Sequence, residues 1–116
     1  MVKTYASGRI ILEWSTFERE IDKARDKLNL RRHTRIVLGE ILRNTVGFTN
    51  EDGKNRTGYW LSPRFVERET EINYRTIRRD YEELAKRNII TTHQERWKKK
   101  GTITWVEVNL NLNEWV

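Results

Sequence analysis

Arg75, Arg78 and Arg79 stand three and four residues apart in a stretch whose apolar members, Ile77, Tyr81, Leu84 and Ala85, recur at helical spacing. At that period the apolar residues form one stripe and the three guanidinium groups project from the other side. Arginine offers a planar fork of donors that can bond guanine O6 and N7 together or hold a phosphate. Asn73, Tyr74 and Thr76 open the same stretch, within reach of bases or backbone, where the positive end of a helix dipole attracts phosphate. Arg96, Lys98, Lys99 and Lys100 gather beside Gly101 between two strand-like runs. Ammonium groups on a mobile turn suit sequence-independent phosphate contact. With Ser62 and Arg64 upstream, these twelve residues are the candidate DNA-facing set. The chemistry they imply is recognition of a polyanion, without bond making.

Two plainer readings stay open beside this one. Arg78–Glu82 and Arg79–Glu83 sit at i, i+4, so the arginines can serve as helix-stabilising ion pairs. The lysine turn can equally be a solubilising one.

The elements that must position these residues are legible. Ser62-Pro63 is a helix start, because serine accepts from free backbone N–H groups and proline suits the first helical position. Phe65, Val66 and Glu69 continue a short helix, 70–72 form the turn, and Asn73 caps a helix over 73–87. Asn88 suits the left-handed residue that ends it. Strands are expected over 89–97 and 102–112, the second with Val106, Val108, Leu110 and Leu112 alternating with polar residues. Ile103 and Trp105 fall in the opposite phase, which requires either a bulge or an outer-face position. Trp97 and Trp105 are expected to brace the hairpin, and Trp14, Trp60 and Trp115 to be core.

Upstream, Ile10, Leu12 and Trp14 alternate as one strand over 9–14. Ser15 reads as a helix cap with Glu18 completing a capping box. Phe17, Ile21, Ala24 and Leu28 make an apolar stripe, and Asn29-Leu30 breaks that helix. A second helix begins near Arg31 or Arg32 and runs to Asn44, with Ile36, Val37, Leu38, Ile41 and Leu42 making a broad buried face. Residues 46–57 read as a loop, and Tyr59-Trp60-Leu61 as a short strand.

Composition bounds the function. The chain has 116 residues, formal charge +6 and a pI near 9.8, which allows one domain and favours polyanionic partners. Cysteine is absent, so neither disulfides nor thiolate metal sites are available. His33 and His93 lack metal-ligand spacing, and there is no phosphate-binding glycine loop or nucleophile elbow. No enzyme activity, cofactor, metal or small-molecule substrate is expected. No apolar run reaches bilayer length, and the one at 8–14 is too short for a signal-peptide core. No membrane partner and a cytoplasmic setting are therefore expected. Mean hydropathy is −0.86, but five Trp and four Tyr argue for a packed core over disorder.

Leu61-Ser62-Pro63, Ile72-Asn73-Tyr74-Arg75-Thr76-Ile77-Arg78-Arg79 and Leu84-Ala85-Lys86-Arg87-Asn88-Ile89-Ile90 together resemble the winged helix-turn-helix domains of phage and plasmid replication initiators. The resemblance covers about 30–112. It implies an α+β fold with a helical core and a C-terminal hairpin wing, the 73–87 helix in the major groove of duplex DNA and the wing on the backbone. Replication initiation or transcriptional control would be the role. An alternative is a protein-interaction module that uses the same fold on an acidic partner. Two positions depart from the family pattern: Glu71 stands where many relatives have glycine in the turn, and Asn88 replaces the glycine before the wing. Residues 1–29, with their strand and helix, lie outside the shared core of this single domain and are expected to support a homodimer.

Overall fold

The structure, a computed structural model, describes residues 2–4, 10–12, 14–47, 56–99 and 101–116, with side chains from residue 19 onward. Its best-specified boundary is the one at Ser62-Pro63. The Ser62 hydroxyl accepts from the Phe65 N–H at 3.2 Å and Pro63 occupies the first helical position. The first orphan donors of α3 (Pro63–Thr70) are thereby satisfied. Glu71 ends α3 in the left-handed region at φ 61°, where glycine is the unstrained residue. The turn geometry is thus kept without glycine. Asn73 then caps α4 (Tyr74–Lys86), its Oδ1 accepting from the Arg75 N–H at 2.8 Å. Asn88, at φ 61°, reverses the chain as its tolerance of positive φ allows.

Preceding these are α1 (Trp14–Lys27) and α2 (Arg32–Asn44). Asn29, at φ 50°, separates them. Helix α1 already includes Trp14, two residues earlier than a Ser15 cap would place its start. Helix α2 turns Thr34, Val37, Leu38, Ile41 and Leu42 inward. Ile36 does not join them and is 43% exposed, because at roughly 100° per residue it points away from the middle of that arc.

Two sheets are present among the described residues. In the first, β1 (Val2–Thr4) pairs antiparallel with β2 (Ile10–Leu12), so the strand expected over 9–14 has a partner that its own alternation did not disclose. In the second, β3 (Gly58–Trp60), β4 (Ile90–Trp97) and β5 (Gly101–Val108) form an antiparallel sheet in the order β3-β5-β4. Gly101, at φ 73°, supplies the hairpin reversal. Strand β5 ends at Val108, short of the expected Leu112, and Leu112–Glu114 is a 3-10 turn. There the chain folds back: Trp115 buries its ring in the core and its indole N–H donates to the Asn109 carbonyl at 2.8 Å.

Thr104, Val106 and Val108 alternate without a bulge and face the helices. Ile103 and Trp105 take the outer face, resolving their phase. Trp60 stands there too, half-buried and not core, with ring centroids 5.1 Å from Trp105 and 5.7 Å from Trp97. The brace expected of Trp97 and Trp105 therefore works through a third ring, from β3. Gly58 makes room for it, since a Cβ there would come within 2.7 Å of the Trp105 ring.

One core joins α1 through α4 and the sheet, centred on Val37, Leu38, Ile41, Val66, Ile77, Leu84, Ile89 and Val106. Ile21 of α1 is buried in it, and Ala24 and Leu28 pack against it. These three residues of the α1 stripe, the segment expected to support a homodimer, thus pack on the chain's own core. The Phe17 side chain lies outside the described residues. No helix among the described residues is long and apolar enough to cross a membrane.

Gly39 sits inside α2, and a Cβ there would meet nothing within 4 Å. Glycine in a helix interior costs about 0.5–1 kcal/mol relative to alanine. Gly39→Ala should therefore raise unfolding free energy by about that amount in urea denaturation. A loss of stability would mean that the position is more tightly packed than its surroundings indicate.

Candidate nucleic-acid interface

Helix α4 presents the arginines as it does because its other side is committed. Ile77 and Leu84 are fully buried, Tyr81 is nearly so, and its hydroxyl donates to the Leu61 carbonyl at 2.9 Å. Burial also pushes the Tyr81 phenol well above the usual tyrosine range. Arg75, Arg78 and Arg79 are all exposed and fall within roughly 100° of arc opposite that stripe.

Among the buried residues of α4 is one acid. Asp80 is 2% exposed, and its carboxylate accepts from the Thr34 hydroxyl at 2.7 Å and meets His33 Nδ1 at 2.9 Å. A buried carboxylate needs such partners, and both come from the first turn of α2. The bonds therefore pin the rotation of α4 against α2. The sequence holds one signal for Asp80, an acid set between Ile77, Tyr81 and Leu84 on an apolar stripe. Nothing local could have named partners 46 and 47 residues away.

The alternative ion pairs Arg78–Glu82 and Arg79–Glu83 are absent among the described residues. Glu83 instead accepts from Arg87 at 2.8 Å, and this hydrogen bond holds its carboxyl below the usual carboxylate range. Among the described residues, the Arg75 and Arg79 side chains have no hydrogen bond or ion pair, and the Arg78 guanidinium meets the Tyr74 ring at 5.8 Å. Three guanidinium groups in a turn and a half are thus without a carboxylate partner among the described residues.

Other candidates divide differently. Ser62 is occupied as a cap, and Asn73 as another. Arg64 lies in an ion pair with Glu67 at 3.2 Å and over the Tyr74 ring at 4.0 Å. Glu67, which sequence reasoning missed, also accepts from the Tyr74 backbone N–H at 2.9 Å. The start of α4 therefore already holds a carboxylate and a side-chain amide oxygen. The phosphate position expected at its dipole is filled from within, which leaves Ser62, Arg64 and Asn73 positioning α4. Thr76 is half-buried beside His33, Arg79 and Asp80 in a cleft of about 270 Å³ facing α2.

On the hairpin, Arg96, Lys98 and Lys99 are exposed; Lys100 lies outside the described residues. Strand alternation gives the hairpin two unlike faces. Thr92, Gln94 and Arg96 share the inner face with Thr104 and Val106, whereas His93, Glu95 and Trp97 share the outer face with Ile103 and Trp105. Outer-face acids hold the indoles: Trp97 Nε1–H donates to Glu95 at 3.2 Å and Trp105 Nε1–H to Glu107 at 3.1 Å. Carboxylates make that face a poor one for phosphate. Among the described residues, no group of three or more His, Asp and Glu could hold a metal ion.

The Asp80 bond can be weighed by a double-mutant cycle. Asp80→Ala leaves the Thr34 hydroxyl unpaired and should lower stability by about 1–3 kcal/mol. Adding Thr34→Val should cost less than the two single changes summed, a coupling of about 0.5 kcal/mol or more. Strict additivity in urea melts would show that the bond does not join α2 to α4.

Compared with known proteins, the chain matches no family model, no curated protein and no solved structure.

Proposed function

We propose that the chain is a winged helix-turn-helix domain that binds duplex DNA, with α2, α3 and α4 as its three helices and the β4–β5 hairpin as its wing. Helix α4 would lie in the major groove, and Arg96, Lys98, Lys99 and Lys100 would meet the backbone. One observation carries this reading. Arg75, Arg78 and Arg79 are exposed on a rigid helix, opposite its core stripe and without an acidic partner among the described residues. Arginines without ion pairs contribute little to the fold, and Glu83 is taken by Arg87 and not by Arg79; a groove-facing role accounts for all three. A wide major groove admits a helix, and the cationic hairpin tip beside it adds backbone anchors that fix register. The biological role that fits is replication initiation or control of transcription.

Selection of bound sites from random duplexes tests the reading directly. A recovered consensus with affinity falling steeply in salt supports it. Absence of duplex binding at low salt, with capture of an acidic protein, would favour the interaction-module reading.

Arg78→Ala should weaken binding to the selected site by about 1–3 kcal/mol, the worth of one bidentate base interaction, and shift base preference at one position. The domain should stay folded by circular dichroism, since Arg78 is exposed. Unchanged affinity for the Arg75, Arg78 and Arg79 alanine variants alike would reject α4 as the DNA surface.

Lys98, Lys99 and Lys100 replaced together by Ala should lower affinity for every duplex by a similar factor. The slope of log affinity against log salt should flatten by about 0.9 for each phosphate that the lysines no longer neutralise. A changed sequence preference with an intact slope would instead make the hairpin tip a base reader.

A further inference from the structure

Between α4 and the inner face of the hairpin runs a groove of about 390 Å³ with Pro63 at one end, walled by Arg78, Glu82 and Lys86 and by Thr92, Gln94 and Thr104. We infer that this groove is the track for the sugar-phosphate backbone of one DNA strand, with Thr92 and Gln94 as neutral phosphate donors and Lys86 as a charged one. The inference rests on the duplex-binding reading and adds residues that neither the helix face nor the hairpin tip contains.

Three features of the groove fit a backbone. The first is its two matching rows. Arg78, Glu82 and Lys86 lie one helical turn apart along about 12 Å of α4. Thr92, Gln94 and Arg96 alternate along about 13 Å of β4 on the facing side. A linear ligand can therefore meet donors from both walls along its whole course.

The second is charge. Arg78 and Lys86 set two cations against the single carboxylate of Glu82 in the groove, and Arg96 continues the same face of β4 beyond it. The hairpin's outer face has the reverse character, with Glu95 and Glu107 beside its indoles. A polyanion is attracted to one side of this hairpin only.

The third is exposure of side chains that the fold does not use. Thr92 and Gln94 are exposed, although they point to the helix side of the sheet, and neither has a hydrogen-bond partner in its side chain among the described residues. Beside an apolar stripe, Val would serve the hairpin as well as Thr. Meanwhile the rival phosphate position at the start of α4 is filled by Glu67 and Asn73. Phosphate is thereby directed away from the helix end and toward the groove.

The test compares Thr92→Val with Gln94→Leu in one chain, Lys86→Ala, and Thr91→Val as an outer-face control, against a selected duplex at several salt concentrations. Thr92→Val with Gln94→Leu should weaken binding about tenfold or more, equally for all sequences. Its salt slope should stay unchanged, because neutral donors release no counterions. Lys86→Ala should flatten the slope by about 0.9, and Thr91→Val should change nothing. Thermal melts check that each variant folds. Binding that depends on Arg78 but changes less than about twofold in the Thr92 and Gln94 variant overturns the backbone track and leaves the duplex reading standing. Failure of the unaltered protein to bind any duplex overturns both.

Discussion

Everything on the cationic side of this molecule depends on how α4 is held on its other side. Ile77, Tyr81 and Leu84 must leave water, and Asp80 goes in with them. A carboxylate in that position is tolerable only with hydrogen-bond donors on it, and Thr34 and His33 supply them from α2. Apolar packing alone is non-directional and would leave α4 some freedom to roll. Bonds of 2.7 and 2.9 Å to a buried carboxylate do not. The angle at which the three arginines emerge is therefore set from inside the protein, by a buried acid.

A second constraint sorts the charges. With 23 basic and 17 acidic residues, a net of +6 is modest and would be weak if evenly spread. The acids are instead engaged locally. Glu40 holds Arg43 and Asn44, Glu67 holds Arg64 and the start of α4, Glu83 holds Arg87, and Glu95 and Glu107 accept from indoles. Arg75, Arg78 and Arg79 on α4 and Arg96, Lys98 and Lys99 on the hairpin are among the exposed cations outside these pairs. Exposed pairs of this kind contribute little to stability. They leave the Arg75, Arg78 and Arg79 side chains without a carboxylate partner among the described residues.

Much of the architecture was legible because its signals are local. Ser62-Pro63, Asn73 and Asn88 act through their own backbone conformations and the next few N–H groups, and each stands where its chemistry placed it. The stripes of α2 and α4 follow from the helical period, and the alternation of β5 from the period of two. Failures occurred where a local pattern met a distant partner. Ile36 fits the apolar period of α2, yet no element arrives to cover it. Leu110 and Leu112 continue the strand alternation, but the chain leaves the sheet after Val108 so that Trp115 can fill the core. The α1 stripe looked unused because the core it joins is made by residues far along the chain.

The candidate site divides in the same way. The sequence by itself determined that a helix with three arginines on one arc would precede a lysine-tipped hairpin, since residue type and period are sufficient for that. Only the tertiary structure decided which of the charged groups are available. Arg64, Ser62 and Asn73 are engaged in holding α4, and Arg75 and Arg79 are not, because pairing depends on which carboxylates approach in space. Glu67 reaches Tyr74 across the turn, Glu83 prefers Arg87 to Arg79, and Asp80 finds donors on another helix. Residue spacing fixes what a helix face can offer; the neighbours brought up by packing fix what remains for a ligand.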